Sequence, residues 1–578
     1  MPRKGVLIGL MLCGTIACSD DEFGPNISGV GGEAIVDVLI QPKVDTTYIA
    51  DTITAADQVK LTAIAIGRTG APIQIDRFVW RSSDPTVARV DSAGVVTPLR
   101  TGTVEVTASA YRVGKATVVI LPELTSVTVT SPAAQVLGGD TLQLTAVAFD
   151  HLGRPMAQRF VWSSSSFGVA GVDSTGRARF LSAGAATFTA STPYGSGTVA
   201  VTALQRKLLS VDAGGDVACG IAPLGRGFCW GRGDFGQLAS ASDSTCFDDA
   251  GGRLGCTLEP KLMTGAVNFS VVAVGDTAAC GVSAQNQLYC WGQDTHGQIG
   301  NGSSGGGQTP SLATVGSERF STVTAGAAHA CALNLTGAAY CWGKDETGQL
   351  GDNRRVNSTT PIPVVGTTGL QGDAQRFTRI SAGGSHTCAL TAGGSVYCWG
   401  DGRRGALGHG LAAISDVPVL VSAGELFGGI SAGRNHTCAV APSGNLYCWG
   451  ANDSAQVGAS PSPTPQITPL LVGAGYTAVS AGDFYTCGLT TGRTVNCWGL
   501  NRHGQLGRGE GNPGGMSSTP SGVAGGISFV SVSAGRRHAC GLGADGETYC
   551  WGSNMMGALG NQLQTAVRSM PQRVAAPR

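Results

Sequence analysis

Charge is scarce in this sequence. Only 13% of the 578 residues are Asp, Glu, Lys or Arg, against ~25% in an ordinary soluble domain. The 38 basic and 38 acidic residues cancel to a formal net charge of +0. That balance argues against nucleic acid as a partner, because such binding rests on clustered positive charge. Aromatic residues are also few, at 6%. No cysteine lies between Cys18 and Cys219, so no antibody-type disulfide is available in that stretch. The sequence has no H-E-x-x-H and no G-x-S-x-G elbow between strand and helix, and no glycine-rich loop opening a helix to cradle phosphate. Glycine, by contrast, is abundant at 89 residues, and 42% of the chain is hydrophobic. That is enough apolar side chain for large cores, and glycine-rich, charge-poor composition points to many short strands joined by tight turns.

The N-terminus reads as an export signal. Arg3 and Lys4 precede the apolar stretch Val6–Ala17, which as a helix would rise only ~18 Å, too short for a ~30 Å hydrocarbon core. The stretch ends Thr15-Ile16-Ala17-Cys18 and resembles a bacterial lipobox, with Thr15 where leucine is usual. The resemblance implies a signal peptide over 1–17, cleavage before Cys18, lipidation of its thiol and a polar tether over 18–33. Ordinary secretion after Thr-Ile-Ala is the alternative. The expected location is lipid-anchored, at the outer membrane or cell surface.

The next 170 residues contain one unit written twice. Trp80 opens WRSSDPTVARVDSAGVV and Trp162 opens WSSSSFGVAGVDSTGRA. Asp91 and Asp173, Gly94 and Gly176, and Gly102 and Gly184 all keep an offset of 82, as a duplication without gaps requires. Alternating apolar residues, as in Val59-Leu61-Ala63, indicate half-buried strands, and the Asp-Ser-x-Gly segments supply turns. The pattern resembles the bacterial immunoglobulin-like domains of intimin and invasin type, which implies β-sandwiches over 34–121 and 124–203. Tandem sandwiches of this kind serve as spacers more often than as adhesive surfaces.

From about Leu208 the chain is a repeat array. Seven cysteine pairs recur: Cys219 with Cys229, Cys280 with Cys290, Cys331 with Cys341, Cys388 with Cys398, Cys438 with Cys448, Cys487 with Cys497 and Cys540 with Cys550. Each pair is ten residues apart, and Trp-Gly follows every second cysteine. First cysteines recur at intervals of 49 to 61, a period that suits four-stranded propeller blades. Pairing Leu390 with Val396 across the turn Ala392-Gly393-Gly394 sets Cys388 opposite Cys398, within reach of a disulfide. The G-x-x-H-[ST]-C-A-L and Y-C-W-G pattern resembles the regulator of chromosome condensation repeat family. It also resembles the secreted bacterial propeller that inhibits β-lactamases. Both imply a seven-bladed propeller, here over 207–578, so the expected fold class is all-β. The histidine position is Val217, Ala278 and Tyr485 in the first, second and sixth blades.

The cysteines could be disulfides, buried thiols or metal ligands. Zinc sites group short spacings in fours, whereas these pairs sit on separate blades, and an exported chain favours oxidation. All seven pairs are therefore expected as disulfides. Cys246 and Cys256, in the insertion Ala239–Lys261, are read as stapling a protruding loop, placed on the face away from the candidate ring described next. His329, His386, His436 and His538 fit repeated packing better than metal binding. Between the repeated glycine and the histidine position each blade carries two variable residues, which should form a ring on one face. The contact cluster expected there is Arg434, Asn435, Phe484, Arg536 and Arg537. The functional expectation is a monomeric, non-catalytic binder of a protein or cell-envelope polysaccharide, without cofactor or metal. Alternatives are guanine-nucleotide exchange, as the eukaryotic relatives imply, secreted enzyme inhibition, or a propeller enzyme.

Overall fold

The computed structural model describes residues 34–49, 57–248, 250–313, 316–366, 376–509, 514–565 and 567–577; the signal peptide, Cys18 and the tether lie outside them. Strands dominate, and the described residues contain no α-helix. The chain packs as two units, one of Met1–Ala134, Thr141–Arg179 and Ala185–Val201, the other of Gln135–Asp140, Phe180–Gly184 and Thr202–Arg578.

The duplicated units repeat the same strand order. In the first, Val44–Ile49 pairs in parallel with Arg112–Pro122, which continues antiparallel through Gly102–Ala110 to Val79–Ser82. The second repeats this order with Gln135–Leu137, Gly195–Leu204, Gly184–Thr192 and Val161–Ser164. Alternation buries Val104, Val106 and Ala108 on one side of a strand, with Val118 and Ile120 on its neighbour. The Asp-Ser-x-Gly segments form their turns because Asp91 Oδ1 accepts from the N–H groups of Ala93 and Val95, as Asp173 Oδ1 does from Thr175 and Arg177. Gly94 follows at φ +80°, and a Cβ there would meet the Trp80 ring at 2.7 Å, so glycine serves both the turn and the packing. Only Glu123 separates the last strand of the first unit from Leu124–Thr130 of the second. Tyr48 and His151 stack across that junction, 3.8 Å between centroids.

The remainder forms seven antiparallel sheets, each built from one continuous stretch of chain. The fourth is typical. Phe377–Ala382, His386–Thr391, Val396–Gly400 and Ser415–Leu420 lie side by side, running outward from the axis. Leu390 faces Val396 and Cys388 faces Cys398. Phe377 packs against Tyr397 and Trp399 at 6.1 and 6.3 Å, and Trp399 is fully buried. The first blade, Ser210–Ala213 onward, and the seventh, ending at Val567–Arg573, share no strand. The ring closes without a shared strand.

Candidate functional site

The repeated glycine creates the axis. Gly214, Gly275, Gly326, Gly383, Gly433, Gly482 and Gly535 end the innermost strands, and a Cβ on any of them would lie 2.2–2.5 Å from the carbonyl oxygen of the next. Gly535 meets Gly214 in the same way, which completes the circle across the closure. Side chains cannot fit where seven backbones converge so closely. The cavity at this end of the axis holds only about 80 Å³, far below the ~300 Å³ lower range of ligand pockets.

Adjacent blades are tied by buried polar groups. Each blade's tryptophan donates Nε1–H to a carbonyl of the preceding blade, as from Trp291 to Gln237 and from Trp399 to Gln349. Trp230 of the first blade donates to Ala558 of the seventh at 2.9 Å. The histidines bridge blades too. His329, His386 and His436 place Nε2 at 2.9, 2.9 and 2.8 Å from the hydroxyls of Thr387, Thr437 and Thr486. Burial holds His329 and His436 down at about 3, and His386 and His538 at about 4, so these rings are neutral near pH 7. Among the described residues no group of three or more His, Cys, Asp or Glu could hold a metal.

The variable pairs occupy the turns between first and second strands, and their two positions differ. The carbonyl of the second residue is held by its own blade, as Asn435 O accepts from Ala451 N–H and Phe484 O from Leu500 N–H. In blades two to seven the first residues line the axial opening, and their sequence runs Asp276, Ala327, Gly384, Arg434, Asp483, Arg536. Arg434 reaches Asp483 at 3.2 Å and Asp276, three blades away, at 3.7 Å, while Arg536 Nε lies 3.5 Å from Asp483. Burial pushes the Asp483 carboxyl up to about 7, with the Asp276 charge adding to the rise and both arginines opposing it. Asp276 is raised too, mainly by burial. Arg434 and Arg536 are thus partly committed to internal acids, which a list of turn residues does not reveal. Asn435, Phe484 and Arg537 are half-buried in the same turns.

In all seven blades the paired cysteines face each other across the central hairpin, with Cα atoms 4.0–4.1 Å apart and sulfurs at bonding distance. Cys219 is joined to Cys229 in the first blade, Cys280 to Cys290 in the second and Cys331 to Cys341 in the third. Cys388 is joined to Cys398, Cys438 to Cys448, Cys487 to Cys497 and Cys540 to Cys550 in the remaining four. All fourteen are buried, and each sulfur is taken by its partner, so neither a free thiol nor a metal ligand is left at these positions. Cys246 and Cys256 are likewise joined, with Cα atoms 5.8 Å apart. Here the structure corrects one expectation. Arg253–Leu262 is the fourth strand of this blade and Ser244–Phe247 lies outside it as a fifth; the two form a hairpin that extends past the third strand's end, where Cys256 pairs with Arg232. In an up-and-down sheet, first-to-second turns and third-to-fourth connections emerge at the same end. The insertion therefore rises from the same face as the ring, not from the opposite one. Its tip sets Arg253 over the half-exposed Phe247 ring at 6.0 Å.

Comparison with known proteins agrees with this architecture. The RCC1-like domain family matches residues 228–578, and the bacterial Ig-like domain (group 2) matches 42–120 and 123–203. The ultraviolet-B receptor UVR8 of Arabidopsis thaliana is 30% identical over 233 residues, covering 39% of this chain and 48% of that protein. The E3 ubiquitin-protein ligase HERC2 of Homo sapiens is 28% identical over 221 residues, covering 36% of this chain and 4% of that protein. The chain thus spans less than half the length of either. Among solved structures, human WBSCR16 aligns with a TM-score of 0.53 at 21% identity, covering 61% of this chain and 94% of that one. Yeast RCC1 (Prp20), bound to Kap60, aligns at 0.52 and 19%, covering 64% and 85%; at these identities the likeness shows the fold. With its glycine-closed axis and seven repeated Cys–Trp hairpins, the chain belongs to the RCC1-like domain family and carries two bacterial Ig-like domains ahead of the propeller.

Proposed function

We propose that this protein is an exported lipoprotein, anchored through Cys18, whose propeller binds a protein partner on the face that carries the first-to-second turns, with the Ig-like domains as spacer. One observation carries the binding reading. Scaffold positions repeat from blade to blade, whereas the ring of turn residues mixes acid, base, amide and aromatic on a rigid frame, and variation of that kind suits recognition. Prp20 supports the reading, since it is a propeller of the same fold captured with Kap60 and studied for binding to Gsp1p and histones. The small axial cavity leaves the rim as the surface on offer.

The test is capture from the native cell surface with the full chain, followed by affinity measurement on the captured partner. Phe484→Ala and Arg536→Ala should each weaken binding by more than ~1 kcal/mol. Unchanged affinity in both would remove this face from the reading. Cys18→Ala should release the protein from membranes or leave it unprocessed, and normal maturation with unchanged attachment would refute the anchor.

A further inference from the structure

One boundary of the ring differs from the other six in its covalent structure. Consecutive blades are joined by a connecting segment, as Leu420 at the end of the fourth is joined to Gly429 at the start of the fifth. Two blades that part there stay tethered, at high effective concentration for rejoining. The first blade begins at Ser210 and the seventh ends at Arg573, so no connecting segment spans the seam between them. Local opening is favoured where least opposes it.

The first blade also has a feature that no other blade shows among the described residues. A fifth strand, Ser244–Phe247, lies outside Arg253–Leu262 and is joined to it by the Cys246–Cys256 disulfide. This hairpin lies against the seventh blade. Gln562 donates its N–H to the carbonyl of Leu258, a bond that recurs around the ring, as Gly410 donates to Ile467 and Gly509 to Ser569. Two side-chain bonds are added at the seam: Gln564 Nε2 donates to the carbonyl of Thr245, on the fifth strand, and Gln562 Nε2 to the Glu259 carboxylate.

An apolar contact accompanies these bonds. Cys246, Cys256 and Met556 form one buried cluster, with Leu254 and Leu258 packed against it. Met556 follows the second cysteine of its blade by six residues and is 5% exposed. The residues at the same offset in the other blades, Phe235, His296, Thr347, Arg404, Ser454 and His503, are all half-buried or exposed. The position is buried only where the hairpin covers it.

We infer that the stapled hairpin is a clasp across the seam, with Met556 as the side chain it grips. A hairpin built to reach a partner would hold its apolar side chains outward, whereas Phe247 alone among its large ones is exposed. A two-stranded extension is marginal by itself, and the disulfide keeps Thr245 and Leu254 in place against the seventh blade. The clasp acts on the closed state of the propeller and goes beyond the binding role proposed above.

Hydrogen exchange on the full chain, purified without reductant, tests this. Two seam amides report on opening: Arg536, bonded to the Gly214 carbonyl, and Ala213, bonded to the Ser533 hydroxyl. Ala327, bonded to the Gly383 carbonyl, and Ala382, bonded to the Thr324 hydroxyl, report on the boundary of the third and fourth blades. In Cys246→Ser/Cys256→Ser, and separately in Met556→Ala, the seam amides should exchange about fivefold or more faster, and the other pair should change by less than about twofold. Cys388→Ser/Cys398→Ser removes a staple within one blade and should not speed the seam amides relative to the other pair. Seam exchange unchanged from the parent in both clasp variants would overturn the inference. Equal acceleration at both boundaries would overturn it too, since the hairpin would then stabilise the propeller as a whole. Met556→Ala keeps the staple, so the test stands even if the double variant does not fold.

Discussion

At His436 the imidazole is fully enclosed and its Nε2 lies 2.8 Å from the Thr486 hydroxyl of the next blade. Its proton affinity is held down to about 3, first by burial and then by the charge of His386. An unfolded histidine takes up a proton near its ordinary value of about 6.5. The folded ring refuses that proton until far lower pH, so it favours the unfolded state as pH falls below about 6.5, by up to about 1.4 kcal/mol per pH unit. Removing the ring should remove that penalty. His436→Gln should be less stable than the parent at pH 7, by about 1 kcal/mol for the lost hydrogen bond, and the gap should close as pH drops toward 5. Asp345 and Asp483, raised to about 6 and 7, act in the opposite sense, but they are common to both proteins and cancel in the comparison. Urea unfolding across this range decides the matter, and a gap independent of pH would contradict it.

The same position holds a mismatch. Histidine precedes a blade with threonine where His329 meets Thr387, His386 meets Thr437 and His436 meets Thr486, while Val217 and Ala278 precede Ala279 and Ala330. Tyr485, which precedes Ala539, reaches past it to the carbonyl of His538. Only His538 of the seventh blade faces an alanine, Ala218, and both of its buried ring nitrogens lack a partner. Ala218→Thr should supply one, its hydroxyl accepting from Nε2–H while donating to the Ala558 carbonyl as Thr387 donates to that of Gln349. The expected gain is about 1 kcal/mol, measured as a higher unfolding midpoint. A loss of stability would show that the closure has repacked around the smaller residue.

At the scale of the element, the hairpins were legible from local pattern. Cysteines ten apart, a Gly-containing turn and Trp-Gly at the strand end determine register within one hairpin, and Cys388 does face Cys398. What lay beyond local reading was whatever joins one hairpin to another. The carbonyl that receives a tryptophan's N–H lies about one blade away in sequence in six blades and at the far end of the propeller for Trp230, and nothing marks a carbonyl in a sequence. The pairing of Arg434 with Asp276 was likewise hidden, because turns on blades two and five meet only across a closed axis. The face of the Cys246–Cys256 insertion, by contrast, could have been read. Counting strands places any third-to-fourth connection beside the first-to-second turns. Its staple and those of the blades each close a loop of ten residues, worth ~2–3 kcal/mol in the chain-entropy description. Mass mapping without reduction should find Cys388 and Cys398 linked, and the double variant Cys388→Ser/Cys398→Ser should lower the unfolding midpoint. Finding those two thiols alkylated in protein purified without reductant would contradict the pairing.

For the whole molecule, the closure of the ring has a consequence for the order of its parts. Each blade is one continuous stretch of chain, and the seventh meets the first through contacts that recur between other neighbours: tryptophan to carbonyl from Trp230 to Ala558, backbone to backbone from Arg536 N–H to Gly214, and Ala213 N–H to the Ser533 hydroxyl, as Ala432, Ala481 and Ala534 donate to Ser381, Ser431 and Ser480. No sheet is divided at any of these seven boundaries. A circular permutant of the propeller, its natural ends joined by a flexible linker and its new ends opened between the third and fourth blades, should keep all its cysteine pairs and unfold in one cooperative transition within a few degrees of the parent. A permutant that failed to assemble would show that the present opening is special. Blade succession along the chain is then a matter of synthesis, and whole blades can be gained, lost or reordered without dividing any sheet.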